Sequence, residues 1–305
     1  MSKADDKNSS TQSASDRKKA AFRSRIISTL CLWGLVGAGL ISAHPVLFYF
    51  LILTFVLLGM IEYFRILRSA RVLWEGIFTT LIAVGHCSAC FWLAAHGRYD
   101  HFGFFDSLAI VAVIFVAFGV NLNFPIKPGR SHISVMASVF GFIYIAFLFN
   151  FVTRISFFQD GFHTNEVPGR GYLFFLLAVT KFTDAGAYAI GSLIGKHKMI
   201  PHISPGKTWE GFAGAFLGAF VAAFVVTGFF GDDMPLLTTL HTCVLAVIIG
   251  LAAILGDLAE SIVKRSLITK DSGHVMPGIG GVLDLIDSIL FTAPIMYCYL
   301  YFLSR

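Results

Sequence analysis

Residues 256–288 read GDLAESIVKRSLITKDSGHVMPGIGGVLDLIDS, with five carboxylates, three basic side chains and five glycines between two apolar runs. The chain as a whole is only 13% charged. Charge placed at the margin of a bilayer is costly, so its concentration here marks a place that handles charge. Asp257, Glu260, Ser261 and Lys264 fall at i, i+3, i+4 and i+7, one stripe of a helix. Asp284 and Asp287 repeat the i, i+3 spacing where the next apolar run begins. Two carboxylate pairs at helix ends suit Mg2+, which takes oxygen ligands and commonly keeps one or two carboxylates beside substrate phosphates. Between the pairs, Pro277-Gly278-Ile279-Gly280-Gly281 leaves the backbone bare, so its N–H groups can approach a phosphate. Solvated helix-end charges and an ordinary tight turn would explain these residues one at a time. Their adjacency favours a site.

Two further groups point the same way. Ser204-Pro205-Gly206-Lys207-Thr208-Trp209-Glu210-Gly211 contains Gly-Lys-Thr, but position 201, where a Walker A loop needs its first glycine, is Pro201. Lys207 can still serve as a phosphate cation, with Ser204 and Thr208 as hydroxyl donors. The same residues also read as a helix start, capped by Ser204 or Thr208. Lys181 and Asp184 are i, i+3 inside an apolar run. Ionisable groups within a membrane are functional by default, and a structural ion pair is the rival. Cys31, Cys87, Cys90, Cys243 and Cys298 all sit in apolar runs. His86 precedes the Cys87-x-x-Cys90 pair, which matches neither a haem attachment order nor a paired zinc pattern, and we read these cysteines as packing residues.

The elements that must position these residues are membrane helices. The chain has 305 residues, 56% of them hydrophobic, and a mean hydropathy of +0.76. A soluble domain would carry about 25% charged residues. Nine apolar runs (26–43, 46–63, 73–95, 104–121, 132–152, 171–194, 210–230, 239–256 and 285–303) are each of a length to cross a hydrocarbon core about 30 Å thick as a helix. The expected fold is therefore an all-α polytopic membrane protein. It divides into a polar basic tail (1–25), N-terminal membrane helices (26–170) and C-terminal catalytic helices with motif loops (171–305). We expect the first run to be a retained helix rather than a cleaved signal. With the tail inside, 18 Lys and Arg fall on one side and four on the other, with Lys181 inside a span. That asymmetry puts the N-terminus and both motif loops in the cytoplasm.

The pattern S-x-x-K-R-x4-K-D-x5-P-G-x-G-G-x-x-D-x-x-D resembles the C-terminal signature of the CDP-diacylglycerol synthase (phosphatidate cytidylyltransferase) family. It is met by Ser261, Lys264, Arg265, Lys270, Asp271, Pro277, Gly278, Gly280, Gly281, Asp284 and Asp287. Asp257, the block Asp184, Ala187, Tyr188, and the block Ser204, Pro205, Lys207, Thr208, Glu210, Gly211 are similar to further family motifs. These cover roughly residues 184–288, and the N-terminal half matches only as membrane spans. Ile279 and Leu285 depart from the His and Arg that many members carry there.

The resemblance implies transfer of CMP from CTP to phosphatidate, giving CDP-diacylglycerol and pyrophosphate in phospholipid biosynthesis, by a Mg2+-dependent nucleotidyltransferase in the bacterial inner membrane. It implies metal ligation by Asp257, Asp284 and Asp287, with Ser261 as a fourth ligand and room for a second cation. Lys207, Lys264 and Arg265 would act on the phosphates. Ser204, Thr208, Lys270, Gly278, Gly280, Gly281 and Asp184 would bind substrate. The partners implied are CTP, phosphatidate and membrane lipid, with no nucleic acid, and a homodimer is left open. The rivals are a CTP-dependent polyprenol or phytol kinase, which needs a base not evident here, and an anionic-solute transporter. Runs 104–121 and 132–152 are too apolar to line a solute path.

Overall fold

The computed structural model describes residues 44–67, 70–125, 130–159, 168–267 and 281–305, with Gly34 and Gly37 besides. The expected span at 26–43 lies almost wholly outside them. Helices α1 (Pro45–Ile66), α2 (Ala70–Ala95) and α3 (Phe102–Leu122) come first. Pro45 sits in the first turn of α1, where its missing N–H costs nothing. Gly97, at φ 66°, takes the left-handed conformation that closes the turn after α2. Next come α4 (Arg130–Gly141), a π-helical stretch (Phe142–Phe147) and α5 (Phe151–Ser156), which together make one span with an irregular middle. Helix α6 (Arg170–Ile194) leads into an antiparallel hairpin of β1 (Lys198–Ile200) and β2 (Ser204–Thr208), in which Lys198 faces Thr208 and Ile200 faces Ser204. Helices α7 (Trp209–Phe230), α8 (Thr239–Ser266) and α9 (Leu283–Leu303) complete the chain.

Among the described residues eight helices are long and apolar enough to cross a membrane. The protein is an all-α polytopic membrane protein, and the spans expected from 46–63 to 285–303 each coincide with a helix. The largest difference is at α8. The apolar run predicts an end near 256, whereas the helix continues through 28 residues to Ser266. The added turns carry the polar stripe, whose spacing is itself helical.

The helices pack around a core that includes Phe48, Tyr172, Phe175, Leu245, Leu290 and Met296. Outward faces carry large apolar groups such as Phe115, Phe229 and Leu193. A bilayer solvates such groups and water does not. Two close approaches bring the motif helices together. A Cβ on Gly214 would meet Gly186 O and Ile190 Cβ at 2.6 Å, so α7 lies directly on α6. A Cβ on Gly256 would meet Asp287 O at 2.6 Å and Ser288 Cα at 2.9 Å, so α8 and α9 touch beside both acidic pairs.

Candidate active site

Helix α8 presents Asp257, Glu260 and Lys264 on successive turns, and α9 presents Asp284 and Asp287 in its first turns. Oxygens of Asp257, Glu260 and Asp287 all lie within 4.8 Å of one another. Glu260 and Asp287 are buried and Asp257 is partly open. Glu260 Oε1 is buried without a hydrogen-bond partner. Such an atom is an exception among buried polar groups and needs an explanation. Three clustered carboxylates with one orphaned oxygen fit a hard divalent cation.

Lysines frame the cluster. Lys207 comes from the hairpin, with Nζ 2.8 Å from Asp257 Oδ2, and it donates to Ile254 O at 3.4 Å. Lys264 Nζ lies 2.8 Å from Glu260 Oε2 and 2.5 Å from Asp284 Oδ1. Lys181 Nζ donates to Leu285 O at 2.8 Å and lies 3.8 Å from Asp184 Oδ2. Ser288 ties the two groups together, since its backbone N–H donates to Asp287 Oδ1 at 2.6 Å and its hydroxyl to Asp184 Oδ2 at 3.3 Å. Five carboxylates (Asp184, Asp257, Glu260, Asp284, Asp287) thus meet three ammonium groups. Formal negative charge is in excess among these residues.

The hairpin is held in place by its own residues. Thr208 caps α7 by accepting from Gly211 N–H at 3.1 Å. Glu210 accepts from Lys196 N–H at 3.1 Å and His197 N–H at 3.2 Å, and pairs with His197 Nδ1 at 2.6 Å. The helix-start reading of this segment holds with Thr208 as the cap, and Lys207 stands beside Asp257. A cavity of about 340 Å³ opens between the hairpin, α6, α7 and α8, and Asp184, Tyr188, Ser204, Lys207, Thr208 and Asp257 line it.

The structure therefore brings together Asp184, Ser204, Lys207, Thr208, Asp257, Lys264, Asp284 and Asp287 from the set expected on sequence. Asp284 accepts from Lys264 and from the Gly281 N–H (3.1 Å), and it meets the three-carboxylate group through Glu260. Ser261 is half-buried on the same helix and Arg265 is exposed. Lys270, Gly278 and Gly280 lie outside the described residues. Two site residues were not assigned from sequence. Glu260 belongs to the cluster, a membership visible in its i+3 spacing from Asp257. Glu62 of α1 accepts from the N–H groups of Val282 (2.6 Å) and Leu283 (3.2 Å), fixing the start of α9. A lone acid inside the run 46–63 was its signal.

A second cluster lies elsewhere. His86, Cys90 and Asp106 also come within 4.8 Å of one another. Asp106 already accepts from Arg154 Nη2 on both oxygens, at 2.6 and 2.7 Å, and from His86 Nε2 at 2.9 Å. This is a charge-matched ionic network between α2, α3 and α5. Cys87, Cys90, Cys243 and Cys298 are free thiols.

A membrane bundle with a lysine-framed carboxylate cluster is the setting in which phosphate chemistry on a lipid is expected. The model of the cytidylyltransferase family matches residues 23–303, and the chain belongs to that family. Over 167 residues it is 35% identical to a phosphatidate cytidylyltransferase of Mycobacterium tuberculosis (strain ATCC 25618 / H37Rv), covering 55% of this chain and 47% of the relative. Over 155 residues it is 37% identical to a phosphatidate cytidylyltransferase of Staphylococcus saprophyticus, covering 51% and 54%. Over 137 residues it is 36% identical to the uncharacterized protein YnbB of Escherichia coli (strain K12), covering 45% of each. The chain spans about half the length of these curated relatives.

Proposed function

We propose that the protein transfers CMP from CTP to phosphatidate, releasing pyrophosphate and leaving CDP-diacylglycerol in the membrane. The observation that carries this reading is the meeting of Asp257, Glu260 and Asp287 beside Lys207 and Lys264, in a member of the cytidylyltransferase family. Relatives named phosphatidate cytidylyltransferase supply the substrate class. The positive-inside asymmetry supports a site at the cytoplasmic face of the membrane, which in a bacterium would be the inner one.

The chemistry follows from the substrates. The phosphate of phosphatidate has a second pKa of about 6, so it is largely dianionic at neutral pH and needs no strong base. One of its oxygens forms a bond to the α-phosphorus of CTP. The bond from that phosphorus to the α–β bridging oxygen breaks, and pyrophosphate leaves with the electron pair. The obstacle is bringing two polyanions together, so the site must supply positive charge. Asp257, Glu260 and Asp287 would hold Mg2+, which supplies charge neutralisation on the phosphates. Lys207 and Lys264, together with Arg265 and Lys270, would neutralise the remaining phosphate oxygens. Asp284 would hold Lys264 in place. The Thr208 and Ser204 hydroxyls and the glycine backbone at 278–281 would contact the nucleotide side of the site. Asp184 would orient Lys181 and Ser288.

The test is an assay of the purified full chain in detergent with radiolabelled CTP and phosphatidate, with and without Mg2+. The expected result is labelled CDP-diacylglycerol and pyrophosphate in equal amounts, only with Mg2+. Release of CDP with a phosphorylated alcohol as acceptor would make it a kinase, and no lipid product at all would overturn the reading.

A further inference from the structure

The motif set lies in the second half of the chain, yet the first half brings a polar group to the carboxylates. Between α4 and α5 the helix widens to a π-helical stretch over Phe142–Phe147. Such a turn shifts side chains around the helix axis, and it occurs often at functional sites. Tyr144 stands in that stretch, only 4% exposed. Its ring stacks on Phe140 (5.2 Å, 13°) and meets the edge of Phe291 (6.4 Å), one turn beyond Asp287 on α9. The phenol lies within electrostatic range of Glu260, Asp287 and Asp257.

The Tyr144 hydroxyl is buried with no hydrogen-bond partner, and so is Glu260 Oε1. This part of the bundle thus holds an unpaired donor and an unpaired acceptor that do not bond each other. Leaving either unpaired costs about 1–3 kcal/mol, and phenylalanine would fill the same packing space without that cost. Tyr63, also buried, has its hydroxyl paired with Ala137 O at 3.0 Å. The contrast singles out Tyr144.

We infer that Tyr144 is a binding residue of the carboxylate site, its phenol O–H donating to an oxygen carried by the cation that Asp257, Glu260 and Asp287 hold. That oxygen is a water or a phosphate oxygen, and the inference rests on the cation-site reading above. It adds a group from the N-terminal half, outside every motif, to the machinery of the C-terminal half.

The test compares wild type and Tyr144→Phe as purified full chains in detergent, with Mn2+ as the probe read by electron paramagnetic resonance. Phenylalanine keeps the ring contacts to Phe140 and Phe291, and the missing O–H has no protein partner, so thermal stability should not fall. Mn2+ affinity is expected to drop about fivefold, the loss of one net hydrogen bond. A drop with Mn2+ alone identifies a water, and a drop only when CTP is present identifies a phosphate oxygen. Equal affinities under both conditions would overturn the role of Tyr144 and leave the cation site standing. Absence of Mn2+ binding by the wild type would overturn both.

Discussion

Two buried charge clusters sit in one bundle and are finished differently. Around Asp106 the carboxylate charge is matched, because Arg154 covers both oxygens and is itself packed over Phe102 and Phe151, each 4.6 Å away, although His86 Nδ1 and Arg154 Nε have no hydrogen-bond partner. Glu75, further along α2, also has its oxygens paired, accepting from Asn121 (2.6 Å), Ser134 (2.7 Å) and Ser138 (2.7 Å). Around Asp257, Glu260 and Asp287 the carboxylates outnumber the lysines, and a carboxylate oxygen and a phenol are left unpaired. The first arrangement is what stability alone demands of charge in a membrane protein. The second is costly unless something binds there. The contrast teaches that intramembrane charge alone does not locate a site, whereas an excess of carboxylates over cations points to one.

The largest effect expected on this contrast comes from the incomplete cluster. Asp257→Asn or Asp287→Asn should lower CMP transfer by about a hundredfold or more while membrane protein levels stay normal, since each removes a carboxylate proposed to hold the metal. Wild-type rates in either would end the metal assignment. The opposite signature is expected from the charge-matched cluster. Arg154→Met leaves Asp106 with His86 as its one remaining partner, a loss of about 3 kcal/mol, read as a lower melting temperature in detergent. Adding Asp106→Asn should recover most of it, and the folded fraction should keep the KM for CTP.

Smaller changes sharpen the comparison. Gly256→Ala forces a Cβ against the Asp287 carbonyl, so α9 must move. We expect a cost of about 1–3 kcal/mol together with reduced turnover, measured on the same preparation. Lys207→Ala should raise the KM for CTP about tenfold with a smaller change in kcat, the loss of one charge-assisted contact. Leu285→Arg, which restores the side chain common in the family, should alter the rate by less than about threefold, because only its backbone carbonyl is used by Lys181.

Much of this arrangement is legible in the sequence, for identifiable reasons. Runs of apolar residues have one stable form in lipid, so the helices follow directly. The i, i+3 pairs at Asp257 and Asp284 place carboxylates on helix faces before any coordinates are seen. What was hidden depended on contacts distant in sequence. Glu62 reaches Val282 across 220 positions, and nothing local forecasts that partner. Asp284 and Asp287 look equivalent in the sequence, yet one turn of helix sends the first to Lys264 and the second into the cluster. Tyr144 is one aromatic residue among many, and only the π-helical stretch sets it apart.

The length of α8 bears on how a lipid would be handled. Its apolar part, 239–256, covers about 27 Å at 1.5 Å per residue, close to the hydrocarbon thickness of about 30 Å. The remaining turns to Ser266 then project to the level of the headgroups. A diacyl substrate worked on at that height would keep its chains dissolved in the leaflet. Lifting it out would cost about 0.8 kcal/mol for each methylene exposed. On the proposed reaction the encounter would become a two-dimensional one, with the lipid arriving sideways and only the nucleotide crossing from water.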